Sequence, residues 1–155
     1  MRPVRVNRAP VLTLWAALVA EAEGHPPDLA LALGAAVAGT AARAKARRLG
    51  IAEDHGEAKA KPGPRHTVHL MGRDIALEEA DRQPAATRAY IERAFGDRLE
   101  EVREAMRALI ARIPSEDLDR HAFRLYEQFR PEVPEGTRGW GAKGELHLDR
   151  IRAAD

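Results

Sequence analysis

Two periods of apolar residues organise this chain. Leu12, Trp15, Ala16, Val19 and Ala20 recur at helical spacing and predict a first helix. Asn7 offers a capping oxygen at its start, Pro10 is tolerated in the first turn, and Gly24 suits the stop. His25-Pro26-Pro27 reads as a rigid turn, followed by a second helix from about Asp28 to Leu49 that Gly50 ends. Its inner part is LALALGAAVAGTAA, in which Gly34 and Ala38, and Ala35 and Gly39, lie four apart. Small residues at that spacing let another helix approach closely. Two helices joined by so short a turn are expected to pack as an antiparallel hairpin. The same face would also serve a second copy of the chain, so a homodimer is a candidate assembly.

The period then changes to two. Val68 and Leu70 alternate with Thr67 and His69, and Ile75 and Leu77 repeat the alternation beyond Met71-Gly72-Arg73-Asp74. This predicts a β-hairpin turning about Gly72. A hairpin alone is marginal, so it needs helices beneath it or a third strand. Leu146-His147-Leu148 is the better candidate for that strand and Val4-Arg5-Val6 the weaker. Helical spacing returns at Pro84 and runs to Phe95, with Tyr90, Ile91 and Phe95 as apolar marks and a break or bend at Gly96-Asp97. Leu99, Val102, Met106, Leu109, Ile110 and Ile113 form the cleanest amphipathic pattern. Its outer face carries Glu100 with Arg103 and Glu104 with Arg107, each three apart. Pro114 stops it. Ser115 is expected to cap a last long helix lined by Leu118, Ala122, Leu125 and Phe129, and widened by Phe123 and Tyr126.

The expected fold is mostly α: four to five helices, a small β-hairpin and an irregular, Trp-containing C-terminal tail. The chain length suits a single domain over residues 1–155. Within it, residues 7–50 form a helical hairpin, residues 51–65 an exposed polar linker around Pro62-Gly63-Pro64, and residues 66–155 the β-hairpin, later helices and tail. In the tail, prolines stop the helix, glycines permit a turn, and Trp140 anchors, so that the tail is expected to clasp the two halves together.

Composition narrows the chemistry. Cysteine is absent, which removes disulfides, thiolate catalysis and zinc–thiolate sites. The only serine, Ser115, is explained by its helix start, and no nucleophile-elbow motif surrounds it. The apolar run behind the basic Met1–Arg8 segment is interrupted by Glu21 and Glu23, so no signal-peptide pattern is seen. The longest nearly apolar run, Leu29 to Ala42, is too short to span a bilayer. A soluble, cytoplasmic chain without a cofactor or metal is therefore expected. Arginine outnumbers lysine, a bias that a high-GC genome and thermal adaptation explain equally well.

The near-zero net charge hides an asymmetry. Residues 43–73 hold eight basic residues against three acidic ones, whereas residues 74–128 hold nine against thirteen. Arg43, Lys45, Arg47 and Arg48 near the end of the second helix, followed by Lys59, Lys61 and Arg65, form a basic segment able to meet nucleic-acid phosphates. No aromatic stacking platform accompanies it, and the same charges also complement a helix C-terminus.

Other candidates are weaker. Gly139-Trp140-Gly141-Ala142-Lys143-Gly144 could turn backbone N–H groups toward an anion, yet matches neither phosphate-loop nor dinucleotide spacing. A ligand pocket walled by Phe123, Tyr126 and Trp140, with Arg138, Lys143 and His147 as polar groups, is the alternative to a purely structural tail. Glu145, His147 and Asp149 would share one face of a strand and offer half a metal site. His66 and His69 would face opposite ways on a strand, and His121 lies one helical turn from Asp117. The leading expectation is a non-catalytic binding or assembly module whose partner is itself or nucleic acid. The alternative is a small enzyme or ligand-binding protein with its pocket near Trp140.

Overall fold

The computed structural model describes residues 3–48, 66–77, 84–133 and 144–155. Within them the fold is mostly helical, with a small β component. Strand β1 (Val4–Val6) leads into helices α1 (Arg8–Ala22) and α2 (Pro27–Arg48). The hairpin strands β2 (His66–Leu70) and β3 (Arg73–Leu77) follow. Helix α3 (Pro84–Phe95) passes through a 3-10 turn (Gly96–Arg98) into α4 (Leu99–Arg112), and α5 (Ser115–Phe129) comes next. Strand β4 (Gly144–Leu146) and the short helix α6 (Leu148–Ala153) complete the order.

Helix α1 is the axis of the molecule. All eleven residues from Pro10 to Ala20 are buried, so it has no solvent face. An all-round apolar helix must be enclosed by other elements, and α2, α3, α4 and α5 surround it. Trp15 is fully buried; its Nε1–H donates to the Ala122 carbonyl of α5 at 2.9 Å. Its ring meets Phe129 edge-on, with centroids 5.1 Å apart. The indole therefore fixes α5 to α1 by both shape and a satisfied polar group.

Helices α1 and α2 approach as the small-residue spacing predicts. A Cβ placed on Gly34 would lie 2.4 Å from the Thr13 carbonyl oxygen and 3.2 Å from the Ala17 Cβ, so only glycine admits this separation. The face around Gly34 is thus occupied within the chain. Between the helices, Gly24 N–H donates to Glu21 O at 3.0 Å and His25 N–H to Ala20 O at 3.1 Å, the paired bonds of a Schellman stop.

Several local expectations are corrected. Asn7 precedes α1 but makes no side-chain capping bond; its Oδ1 is buried and has no hydrogen-bond partner among the described residues. Ser115 is the first helical residue of α5, not its cap. Pro114 occupies the cap position, and its carbonyl accepts from the N–H groups of Asp117 and Leu118. The two candidates for a third hairpin strand pair with each other. β1 and β4 run antiparallel, with Val4 opposite Leu146, Arg5 opposite Glu145 and Val6 opposite Gly144. Glu132 bridges to the other side of Glu145. Among the described residues the β2–β3 hairpin is two-stranded, and it packs through β3 on α2. Leu148 belongs to α6, so Glu145, His147 and Asp149 do not share a strand face.

The final residues are tied down. Leu146 and Ile151 are fully buried and Leu148 nearly so. Arg112 donates to the Ala154 carbonyl at 3.1 Å, and Gln128 exchanges two hydrogen bonds with the Asp155 backbone. Tail residues 134–143 and the expected linker, 51–65, lie outside the described residues. Among the described residues, no helix is long and apolar enough to cross a membrane.

Candidate functional site

The C-terminal half of α1 contributes to two polar constellations. The first is a cleft between four helices. Leu14, Ala17, Leu18 and Glu21 form one stripe of α1, while Pro27 and Leu31 come from α2. Arg88 and Ile91 come from α3, and Arg103 and Arg107 from α4. Each set repeats at three- or four-residue spacing, so each helix presents one face. Together they line a half-open cleft of about 130 Å³. Its floor is apolar, with Leu14, Ala17, Leu18 and Ile91 buried. Its rim is charged.

Two rim cations have partners. Arg88 Nη2 lies 3.4 Å from Asp28 Oδ1, both side chains being well exposed. Arg103 pairs with Glu100, as its spacing predicts. An exposed pair such as Arg88–Asp28 is worth about 0–1 kcal/mol, so the Arg88 guanidinium turns to another carboxylate at little cost. Arg107 is exposed and, among the described residues, makes no ion pair; the expected pairing with Glu104 does not form. The cleft therefore offers an apolar floor under a rim of three arginines and one carboxylate, Glu21, whose net positive charge can accept an anion.

The second constellation joins the end of α1 to the β2–β3 turn and α5. The hairpin turns through Met71 and Gly72, whose φ angles are +56° and +75°. Two consecutive positive φ values are what a two-residue type I′ turn requires. Met71 bears the strain of a side chain in that region, about 1–2 kcal/mol, and its side chain is buried. Asp119 of α5 accepts both turn amides: Met71 N–H on Oδ1 at 2.7 Å and Gly72 N–H on Oδ2 at 3.1 Å. His69 Nε2 lies 2.7 Å from the same Oδ2, and His69 Nδ1 lies 3.2 Å from Asp74 Oδ1. Arg73 stacks over Phe123, 4.6 Å from the ring centroid.

Electrostatics follow from that geometry. Burial of its carboxyl, then the negative charge of Asp119 and a hydrogen bond to it, push Glu23 up to about 7. The position of Glu23 at the negative end of α1 acts in the same direction. The residue keeps an open side to solvent, so its proton exchanges freely. For Asp119, burial favours the neutral form, but the N–H groups of Gly72 and Met71 outweigh it and hold the carboxyl below its usual value. The hydrogen bond to Asp74, followed by the charge of Asp119, raises His69. Among the described residues, no group of three His, Cys, Asp or Glu side chains is arranged to hold a metal ion.

Neither constellation was singled out by sequence spacing. Of the residues that were, Arg43, Lys45, Arg47 and Arg48 lie on the last turns of α2. Lys59, Lys61, Arg65, Arg138, Trp140 and Lys143 lie outside the described residues. Tyr126 is buried, with its hydroxyl 3.4 Å from the Arg8 carbonyl, and Phe123 is partly buried 6.0 Å from it. His147 precedes α6, and its Nε2 is 4.0 Å from Glu145. Asp117 pairs with Arg120, not with His121. His66 and His69 lie on a strand, three residues apart, as expected. Compared with family models, curated proteins and solved structures, the chain matches none.

Proposed function

We propose that the chain is a non-catalytic binding module whose cleft between α1, α2, α3 and α4 receives an apolar side chain of a partner protein flanked by carboxylates. The observation that carries this reading is the pairing of a small apolar slot with an arginine rim. Size favours a side chain over a free small molecule. Ligand pockets usually run to about 300–1,000 Å³, whereas an apolar cavity of about 150 Å³ is filled by one benzene. A Leu or Phe anchor matches the space of about 130 Å³ found here. Buried anchors of this type carry most of the affinity in protein interfaces. The uncommitted Arg107 and the loosely held Arg88 select carboxylates beside the anchor.

A nitrogen-15 NMR titration tests the reading. The probe is a short synthetic helix with one Leu anchor between glutamates, and the control carries lysines in their place. Shifts at Ala17, Leu18, Ile91 and Arg107 with the acidic peptide alone support the cleft. Equal effects from both peptides, or shifts confined to other surfaces, overturn it.

A second reading retains nucleic acid as partner. Helix α2 runs unbroken to Arg48, which places Arg43 and Arg47 one turn apart. Binding to DNA or RNA that weakens steeply with salt, and falls on replacing Arg43, Arg47 and Arg48 by alanine, would favour it. No binding at low salt removes it.

A further inference from the structure

We infer that His69 and Asp119 form a proton-operated latch that holds the β2–β3 turn against the side of α5. The geometry has two parts. Asp119 grips both turn amides while His69 Nε2 sits 2.7 Å from its Oδ2, and Glu23, at the end of α1, is pushed up by burial and by the charge of Asp119. The turn it grips contains Met71 at positive φ, a strained conformation that persists only where its surroundings hold it. The turn amides and His69 come from the hairpin and Asp119 from α5, so the latch closes only when the two meet.

Protons set how firmly it closes. With Glu23 protonated, its carboxyl donates to Asp119; with His69 protonated, both ring nitrogens donate, to Asp119 and Asp74. Loss of the Glu23 proton places two negative carboxylates together. Loss of the His69 charge removes the cation that compensates them. Both changes push the same way as pH rises. In strong acid Asp119 itself becomes neutral and its grip on the turn amides weakens, so the latch is tightest between these limits. Other charges nearby do not reverse this. Arg73 is engaged with Phe123, and on α5 Asp117 and Arg120 neutralise each other. Asp74, the remaining group on the hairpin, adds negative charge that also favours the His69 proton.

The test is hydrogen exchange of the Met71 and Gly72 amides in the intact chain between pH 5.5 and 8, corrected for intrinsic exchange. Protection at these two amides should fall on the order of tenfold, equivalent to one pKa unit of coupling, while Leu125 in α5 stays constant. His69→Gln, neutral at every pH, should remove most of the fall, and Glu23→Gln the remainder. Should Asp119→Asn fold, it should show low protection throughout. Constant wild-type protection, an undiminished fall in His69→Gln, or a parallel fall at Leu125 would each overturn the latch.

Discussion

Replacing Gly34 by alanine tests the closest approach in the fold. The new Cβ would sit 2.4 Å from the Thr13 carbonyl oxygen and 3.2 Å from the Ala17 backbone nitrogen. Both obstructing atoms are backbone, on a helix enclosed on all sides, so neither can swing away. Relief requires α1 and α2 to separate, which loosens packing on both flanks. Overpacking of this kind costs about 1–3 kcal/mol, or more where backbone must move. Against it stands the helix preference for alanine over glycine, about 1 kcal/mol. Because the clash is with backbone, the upper part of the range applies, leaving a net loss of about 1–2 kcal/mol. For a chain of this length each kcal/mol moves Tm by ~2–4 °C. Thermal unfolding followed by circular dichroism should therefore show Gly34→Ala melting a few degrees below wild type. An unchanged or higher Tm would mean that the helices are not in contact at Gly34, and the placement of α1 at the centre of the fold would fail with it.

Three further outcomes are expected. Deleting residues 139–155 removes Leu146, Leu148 and Ile151, worth roughly 1.5–3 kcal/mol each when buried; their sum rivals the ~5–15 kcal/mol stability of a typical domain, so the truncated chain should lose its cooperative melt, and an unaltered Tm would refute the clasping role of β4 and α6. Trp15→Phe loses the bond to the Ala122 carbonyl and part of the ring volume, and chemical denaturation should register a loss of about 1–3 kcal/mol. Glu23 contributes to the pH dependence of stability with a defined sign. Its folded pKa of about 7 lies above the model-peptide 4.5, so its contribution is fully present below 4.5 and is lost as pH rises through 7. Melting curves from pH 4.5 to 8 should then show Glu23→Gln gaining on wild type as pH increases; parallel curves would show that Glu23 titrates normally.

Period and punctuation made the helices legible. The apolar faces of α4 and α5, the start of α3 at Pro84, the stop of α1 at Gly24 and the β2–β3 hairpin all follow from local spacing. What escaped is short or non-local. Three residues per strand are too few for alternation to show that β1 seeks β4 and not the hairpin. The six residues of α6 span less than two turns, so Leu146 and Leu148 read as one strand although a helix begins between them. Trp15 appears in its sequence as one apolar mark among several; its bond to Ala122 spans 107 residues. The cleft escaped for the same reason. Arg103 and Arg107 resemble an ordinary solvated stripe until α1 and α3 bring Leu18 and Ile91 beneath them. Glu23 and Asp119 lie 96 positions apart, and no spacing rule connects them.

The cleft is the central functional claim, and reversing one rim charge examines it most directly. Arg107 is exposed and carries no partner among the described residues, so Arg107→Glu should leave the fold intact. The decisive measurement is the affinity of this variant for the Glu-flanked and Lys-flanked Leu peptides, read by the same NMR shifts at Ala17, Leu18 and Ile91. An exchange of preference is expected: wild type favours the acidic peptide and the variant the basic one. If both proteins rank the two peptides identically, the arginine rim does not select the partner and the proposed function is contradicted.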